Sequence, residues 1–367
     1  MKIFMIGQKG IPATYGGIER HVEEITKRLA KKHEVFVFCR SYYTKLSINN
    51  YKNVNLIKLP TIRTKYLDTL IHTFLCYLYV LPRKADIIHI HAYGPSLFLP
   101  FLKLKRKTKI IVTVHGLDWK RAKWGRVASA VLKMGEHLIV KYSKVIIVIS
   151  ENLKAYYQKT YQKKTFFISN GAVIYPMQPL KKMMRYNLEA QKYILSVARL
   201  VPEKGIHYLI RAFKNIKTDM KLLVVGGSSH STSYIDNLKK IAQSHRNIIF
   251  TGYLYNNDLQ ELNSNAYLYV QPSDLEGGVP ITLLDALSFN TVVLVSDIPE
   301  HMEIIKNNLG FYFKAGNVNS LEEQLEKIIN NSELIMNIKK NKPENYVRKH
   351  FSWDKSVKKI EILYQQK

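Results

Sequence analysis

Short apolar runs recur along the chain, and the stretches between them carry apolar positions three and four residues apart. The runs at 3–6, 34–39, 54–58, 86–90, 109–114 and 144–149 are rich in Ile, Val and Phe and are predicted to be buried strands. Amphipathic stretches such as 18–31 and 121–142 read as helices between them. This alternation predicts a doubly wound parallel sheet. The pattern breaks near Asn170-Gly171, and 175–185, with two prolines and a cluster of basic residues, reads as a linker. It restarts with strands at 193–198, 221–225, 247–250, 266–270 and 291–296, and 351–366 is one more helix candidate.

The expected fold is therefore α/β, with two Rossmann-like doubly wound parallel-sheet domains facing across a cleft. The boundaries read as 1–170, a linker 171–190, a second domain 191–345, and a tail 346–367 whose helix packs back on the first domain. In such sheets ligands bind outside the carboxyl ends of the strands, so motifs at those ends matter most.

Composition narrows the class. At 46% hydrophobic, the 367 residues can bury real cores, which excludes a disordered chain. Cys39 and Cys76 both lie in apolar runs, so no disulfide framework is expected and a reducing cytosol is the natural compartment. No signal-peptide pattern precedes the first strand, and the most apolar helix candidate, 67–81, carries Asp68 and His72 and is too short to span a bilayer. The net charge of +28 is unevenly placed: residues 1–170 hold 31 Lys and Arg against 9 Asp and Glu, a net of +22, and the remainder nets +6. That asymmetry points to a basic surface on the first half, for an anionic membrane, nucleic acid or a phosphorylated acceptor.

Four strand-end motifs carry the chemistry. The segment Gln271-Pro-Ser-Asp-Leu-Glu-Gly-Gly-Val-Pro280 joins a strand to a helix. Gly277 and Gly278 let the backbone approach a ligand, Val279 follows them, and the helix start offers N–H groups and a positive dipole end to phosphate. Glu276 before the glycines and Asp285 after them can accept hydrogen bonds from sugar hydroxyls. After the first strand of the second half come Arg199 and Lys204-Gly205, two cations suited to a diphosphate that gains charge as its bond to a sugar breaks. In the first half, Gly16-Gly17 opens a helix and makes a plausible phosphate contact, with Glu19 just inside that helix. The last motif, Val114-His115-Gly116-Leu117-Asp118-Trp119, puts a histidine at a strand end, where it is either structural or a donor to a sugar hydroxyl or phosphate. The sequence has no D-x-D pair, and no His/Cys/Asp cluster has metal-ligand spacing, so a metal-dependent route to charge neutralisation is not expected.

Ala198-Arg-Leu-Val-Pro-Glu-Lys-Gly205, the Glu276–Asp285 segment and Ser296-Asp-Ile-Pro-Glu300 together resemble the retaining glycosyltransferases of family 4, which have the GT-B fold. The N-terminal Met1–Glu19 stretch, with His115-Gly-Leu-Asp-Trp-Lys-Arg-Ala-Lys-Trp-Gly-Arg126, is similar to a bacterial subgroup that includes rhamnosyltransferases of capsule and cell-wall polysaccharide assembly. The resemblance implies that Arg199 and Lys204 hold the donor diphosphate, with Gly16 and Gly17 approaching it from the other domain. It implies further that Glu276 contacts donor-sugar hydroxyls, Gly277, Gly278 and Val279 the phosphate, Asp285 the ribose, and that His115 lies beside the transferred sugar. Glu19 and Asp118 fall on the acceptor side. Retention, by front-face attack in which the leaving phosphate helps accept the acceptor's proton, is implied without a metal or other cofactor. The family's second acid stands eight positions after the first; here Asp285 stands nine after Glu276, one residue further on and one methylene shorter.

The expected partners are a nucleotide-sugar donor (a UDP- or dTDP-sugar), a lipid-linked or oligosaccharide acceptor, and an anionic membrane surface, without nucleic acid. The expected location is cytoplasmic, peripheral at the inner face of the plasma membrane. The competing readings are an epimerase or phosphorylase of the same fold, and a basic nucleic-acid-binding protein.

Overall fold

The computed structural model describes residues 1–121, 124–227, 232–243, 245–305 and 308–366. It divides into two compact units: residues 1–170 together with the chain from Trp353 onward, and Gly171–Ser352.

The first unit is built on eight strands, β1 (Lys2–Ile6), β2 (Glu34–Arg40), β3 (Asn50–Tyr51), β4 (Val54–Leu59), β5 (Ile87–His91), β6 (Lys109–Val114), β7 (Val145–Val148) and β8 (Phe166–Phe167). They lie in the order β3-β4-β2-β1-β5-β6-β7-β8, and every pairing is parallel except β3 with β4. The Val- and Ile-rich central strands have both faces covered by helices, which is why they read as continuous apolar runs. The strand order reverses direction between β1 and β5, so the loops after these two strands part and leave a crevice.

The closing helix of the chain, Trp353–Gln365, belongs to this unit. Arg28 Nε meets Asp354 Oδ1 at 2.8 Å, and the Ser356 hydroxyl donates to the Ser169 carbonyl at 2.9 Å. Lys109 Nζ caps the end of the helix by donating to the carbonyls of Leu363, at 2.6 Å, and Gln366.

The second unit holds β9 (Tyr193–Val197), β10 (Lys221–Val225), β11 (Ile248–Gly252), β12 (Leu268–Gln271), β13 (Val292–Ser296) and β14 (Phe311–Phe313), all parallel in the order β11-β10-β9-β12-β13-β14. Here the order reverses between β9 and β12. The stretch read as a linker is part of this unit: Met183 is fully buried and its N–H donates to Glu261 Oε1 at 2.8 Å.

Three further features of the fold have local causes. The strands β3, β8 and β14 are two or three residues long and too short to leave a periodic signal. The helix expected over 121–142 runs over Arg126–Tyr142, with Gly125 at its N-cap and a separate turn at Asp118–Lys120. Pro280 stands at the N-cap of helix Ile281–Ser288, in extended conformation at φ −64 and ψ 130, where its ring has no helical hydrogen bond to break.

Candidate active site

In the second unit, the expected donor-site residues lie on the segments that follow β9 and β12, the two strands at the order reversal. Arg199 stands two residues past the end of β9, and the chain then turns through Pro202–Lys204. Gly205 ends the turn in left-handed conformation at φ +65, and a Cβ there would meet the Pro272 carbonyl oxygen at 1.8 Å. No other residue could bring this turn against the loop after β12. The approach sets Lys204 Nζ on Glu276 Oε1, in a pair whose side chains are only 14% and 8% exposed.

Glu276 is held from the other side by the strand end. The Ser273 hydroxyl donates to its Oε1 at 2.7 Å and Gln271 Nε2 at 3.1 Å, while the Tyr269 hydroxyl fixes Gln271 through its Oε1 at 2.6 Å. Burial works to raise the Glu276 carboxyl, but Lys204, His301 and the hydrogen bonds from Lys204 and Ser273 outweigh it and hold the group below its usual range. Glu276 is therefore a fixed carboxylate with its charge opposed by Lys204.

Behind this loop lies His301, fully buried in helix Pro299–Ile305. Its Nδ1 lies 3.0 Å from the Ser296 carbonyl, and the Ser296 hydroxyl donates to the Ser273 carbonyl at 2.5 Å. Burial lowers His301 to about 4 although Glu276 pulls the other way, so it is a neutral imidazole bracing the loop that carries Glu276. Gly277, Gly278 and Val279 lead from Glu276 to the N-cap Pro280, and Val279 is fully buried. Asp285, in the middle of helix Ile281–Ser288, is 7% exposed.

The other expected residues lie in the first unit. Gly16 is the N-cap of helix Gly17–Leu29 at φ +105, and a Cβ there would strike Glu19 Oε2 at 1.9 Å. Glu19 folds back over it, and its Oε1 accepts the Lys9 N–H at 2.9 Å. Glu23 Oε2 accepts the Ala13 N–H at 2.6 Å, so two carboxylates of one helix clamp the glycine-rich loop after β1. Asp118 is paired with Arg121 at 3.1 Å.

His115, just past β6, is part of a group the sequence did not disclose. His91 at the end of β5 and His21 on helix Gly17–Leu29 converge on it, with a ligating atom of each within 4.8 Å of the others. His91 Nδ1 and His115 Nε2 are 3.0 Å apart. Burial lowers all three imidazoles, His21 to about 4, which keeps them neutral. These residues are far apart in sequence, so no spacing rule could collect them. The one available signal was that two of them stand at strand ends. Gln271, Ser273 and His301 were likewise missed; the first two could have been suspected from their place in the loop that carries Glu276.

Two basic clusters of the first unit, Lys103-Leu-Lys-Arg-Lys107 with Lys109 and Trp119-Lys-Arg-Ala-Lys-Trp124 with Arg126, divide by role. Lys105 Nζ donates to the carbonyls of Val80 and Leu81, both at 3.2 Å, and of Arg83, closing the end of helix Leu67–Val80. With Lys109 capping the last helix, two of these lysines are structural, whereas Lys103, Arg106 and Lys107 are exposed. Trp119 is partly buried and its Nε1 donates to Glu136 Oε2 at 3.0 Å. Lys123 of the second cluster lies outside the described residues. Apolar side chains at the surface of this unit include Phe74 and Leu78, Phe101 and Leu104, and Val127 and Met134, with Leu104 and Val127 each 80% exposed, and also Leu46, Ile62 and Leu67. Phe74, Phe98 and Phe101 follow one another at ring separations of 6.0 and 6.3 Å. Among the described residues no helix is long and apolar enough to cross a membrane.

Known proteins resemble the chain in sequence and in fold. Residues 15–173 match the profile of Glycosyltransferase Family 4, and residues 182–345 that of Glycosyl transferases group 1. A glycosyltransferase of Methanocaldococcus jannaschii is 26% identical over 397 residues, covering 100% of this chain and 98% of its own. Sucrose-phosphate synthase from Thermosynechococcus elongatus superposes with a TM-score of 0.85 at 21% identity, over 100% of this chain and 98% of that one. Anabaena HepE in complex with UDP and glucose gives 0.84 at 17% identity, over the full length of both. The fold is GT-B, with two Rossmann-like parallel-sheet domains. The chain is a glycosyltransferase of GT-B type whose first half matches the family 4 profile and whose second half matches the group 1 profile.

Proposed function

We propose that this enzyme moves a sugar, rhamnose being the first candidate, with retention from a UDP- or dTDP-sugar to a lipid-diphosphate-linked or oligosaccharide acceptor of a bacterial surface polysaccharide. The observation that carries the reading is the buried Lys204–Glu276 pair at the strand reversal of the second unit, with Arg199 on the same segment after β9 as Lys204. A cation held there by a fixed carboxylate is preorganised for charge that appears only as the sugar–phosphate bond breaks. Arg199 and Lys204 would neutralise the leaving diphosphate without a metal. Glu276 would accept hydrogen bonds from donor-sugar hydroxyls, Gly277, Gly278 and Val279 would present backbone to phosphate, and Asp285 would accept from the ribose. The acceptor oxygen would bond to the anomeric carbon on the face from which the phosphate oxygen departs, and its proton would pass to that phosphate. His115 would lie by the transferred sugar, with Gly16 and Gly17 at the phosphate and Glu19 and Asp118 toward the acceptor. Anabaena HepE, of like fold, is a complex with UDP and glucose, which supports a nucleotide-sugar donor. Both family profiles concern glycosyltransferases, which does not favour the epimerase, phosphorylase or nucleic-acid readings. A thermal-shift screen against UDP-, dTDP- and GDP-sugars tests the donor class, since a ligand bound by the folded state alone raises its stability.

The acceptor reading brings the first unit to the cytoplasmic face of an anionic membrane. Exposed Phe101 and Leu104, with Lys103, Arg106 and Lys107 beside them in sequence, combine apolar and cationic side chains as a headgroup interface requires, and Phe74, Leu78, Val127 and Met134 are exposed on the same unit. Co-sedimentation with anionic vesicles tests it. Binding that weakens as salt rises is expected, and a protein left in the supernatant at low salt contradicts it.

A further inference from the structure

The three imidazoles of the first unit leave an account open. His21 Nδ1 lies 2.9 Å from Asn170 Oδ1, an acceptor, so the proton sits on Nδ1 and the lone pair on Nε2. That Nε2 is buried without a hydrogen-bond partner, and so is His91 Nε2. A buried polar atom left unsatisfied costs stability, so His21 Nε2 asks for an occupant, while His91 turns its other nitrogen, Nδ1, to His115. The neighbouring His89 is no part of it, because its two nitrogens are taken by Tyr364 and Thr113, each at 2.7 Å. Trp353 closes the side of His21 with its ring 5.5 Å away.

Access selects the occupant. His21 and His91 are 2% and 0% exposed, too enclosed for a sugar hydroxyl to be their partner. We propose that His21, His91 and His115 bind one divalent transition-metal ion, of which zinc is the form to test first. Three histidines at one site make a familiar ligand set for zinc, and imidazole suits this class of ion. Two ligand nitrogens on a tetrahedral ion of that kind stand about 3.3 Å apart. His91 Nδ1 and His115 Nε2 already stand at 3.0 Å, and a ligating atom of His21 lies within 4.8 Å of the other two. Asn170, holding the far nitrogen of His21, is the outer partner that fixes ring orientation in histidine metal sites. The ion sits at the carboxyl ends of β5 and β6, beside the β1/β5 reversal, where sheets of this kind receive ligands. It takes no part in the charge neutralisation assigned to Arg199 and Lys204.

The test uses the full-length chain, freed of any affinity tag and dialysed against EDTA. Cobalt is titrated while visible absorption is recorded, and zinc is then added in competition. A single equivalent of cobalt with the intense bands of a tetrahedral site, displaced by zinc, is expected. His21→Gln and His91→Gln should lose that equivalent, and Asn170→Ala should weaken it by about 10- to 100-fold. Wild-type protein that binds neither metal overturns the proposal, whatever becomes of the variants. Equal cobalt binding by wild type and by folded His21→Gln and His91→Gln also overturns it, by assigning the metal to surface histidines. Nucleotide-sugar binding, measured in parallel on wild type and Lys204→Ala, reports the donor site separately.

Discussion

Lys204 and Glu276, one on the turn after β9 and the other on the loop after β12, form a buried ion pair that only the glycine at position 205 permits. Removing one partner leaves a charge with no counter-ion in a place water scarcely reaches. Lys204→Met is expected to cost about 3 kcal/mol of stability, and Lys204→Met with Glu276→Gln to recover much of it. Urea denaturation of the two single variants and the double gives the coupling; additive losses would show that the pair does not act as a unit.

Asp285→Asn is expected to raise the donor KM more than Asp285→Glu. Asn keeps the size but gives up the charge that strengthens hydrogen bonds to hydroxyls. Equal KM values for the two variants would make Asp285 a structural residue of helix Ile281–Ser288.

Lys105 and its neighbours are expected to separate under substitution. Lys105→Ser removes the donor to three carbonyls at the end of helix Leu67–Val80 and should lower thermal stability. Lys103→Ser, Arg106→Ser and Lys107→Ser should leave stability within about 0.5 kcal/mol of wild type, as surface changes do, while weakening vesicle binding. A combined loss of stability in those three would place them in the structure of the domain.

What the sequence disclosed, and what it withheld, follows from where each signal resides. The buried strands were legible because both faces are covered, so residues such as Val292-Val-Leu-Val295 form unbroken apolar runs. Arg199, Lys204 and Glu276 drew notice because each lies in a short local motif beyond a strand end, and Asp285 because it follows Glu276 by nine positions, within helix Ile281–Ser288. His21, His91 and His301 did not, since their meaning depends on neighbours brought in from other elements. Charge misled in one respect: Lys105 and Lys109 counted toward a basic surface, yet each is spent on helix carbonyls. Composition cannot distinguish a lysine that caps from one that faces solvent.

Acid should destabilise the protein through histidines buried as neutral rings. His72 and His301 are each lowered to about 4 by burial, against an ordinary value near 6.5 in the unfolded chain. Between those values the unfolded state binds more protons, so stability is full above pH 6.5 and falls as pH drops toward about 4. Each ring contributes up to about 3 kcal/mol to that loss. Urea midpoints measured from pH 7.5 to 4.5 should fall with a slope that His301→Gln reduces; an unchanged slope would mean that His301 already carries its proton in the folded protein.

Donor binding followed by transfer is the most direct check on the central reading. Calorimetric titration of wild type and Lys204→Ala with UDP-, dTDP- and GDP-sugars, then single-turnover donor cleavage with the donor that binds, addresses both steps. One nucleotide sugar should bind to wild type, and its cleavage should slow by about 10²-fold or more in Lys204→Ala and Arg199→Ala with the fold intact. Near-normal cleavage in both variants, or no binding of any nucleotide sugar by the wild type, would contradict the assignment of this site to the donor diphosphate.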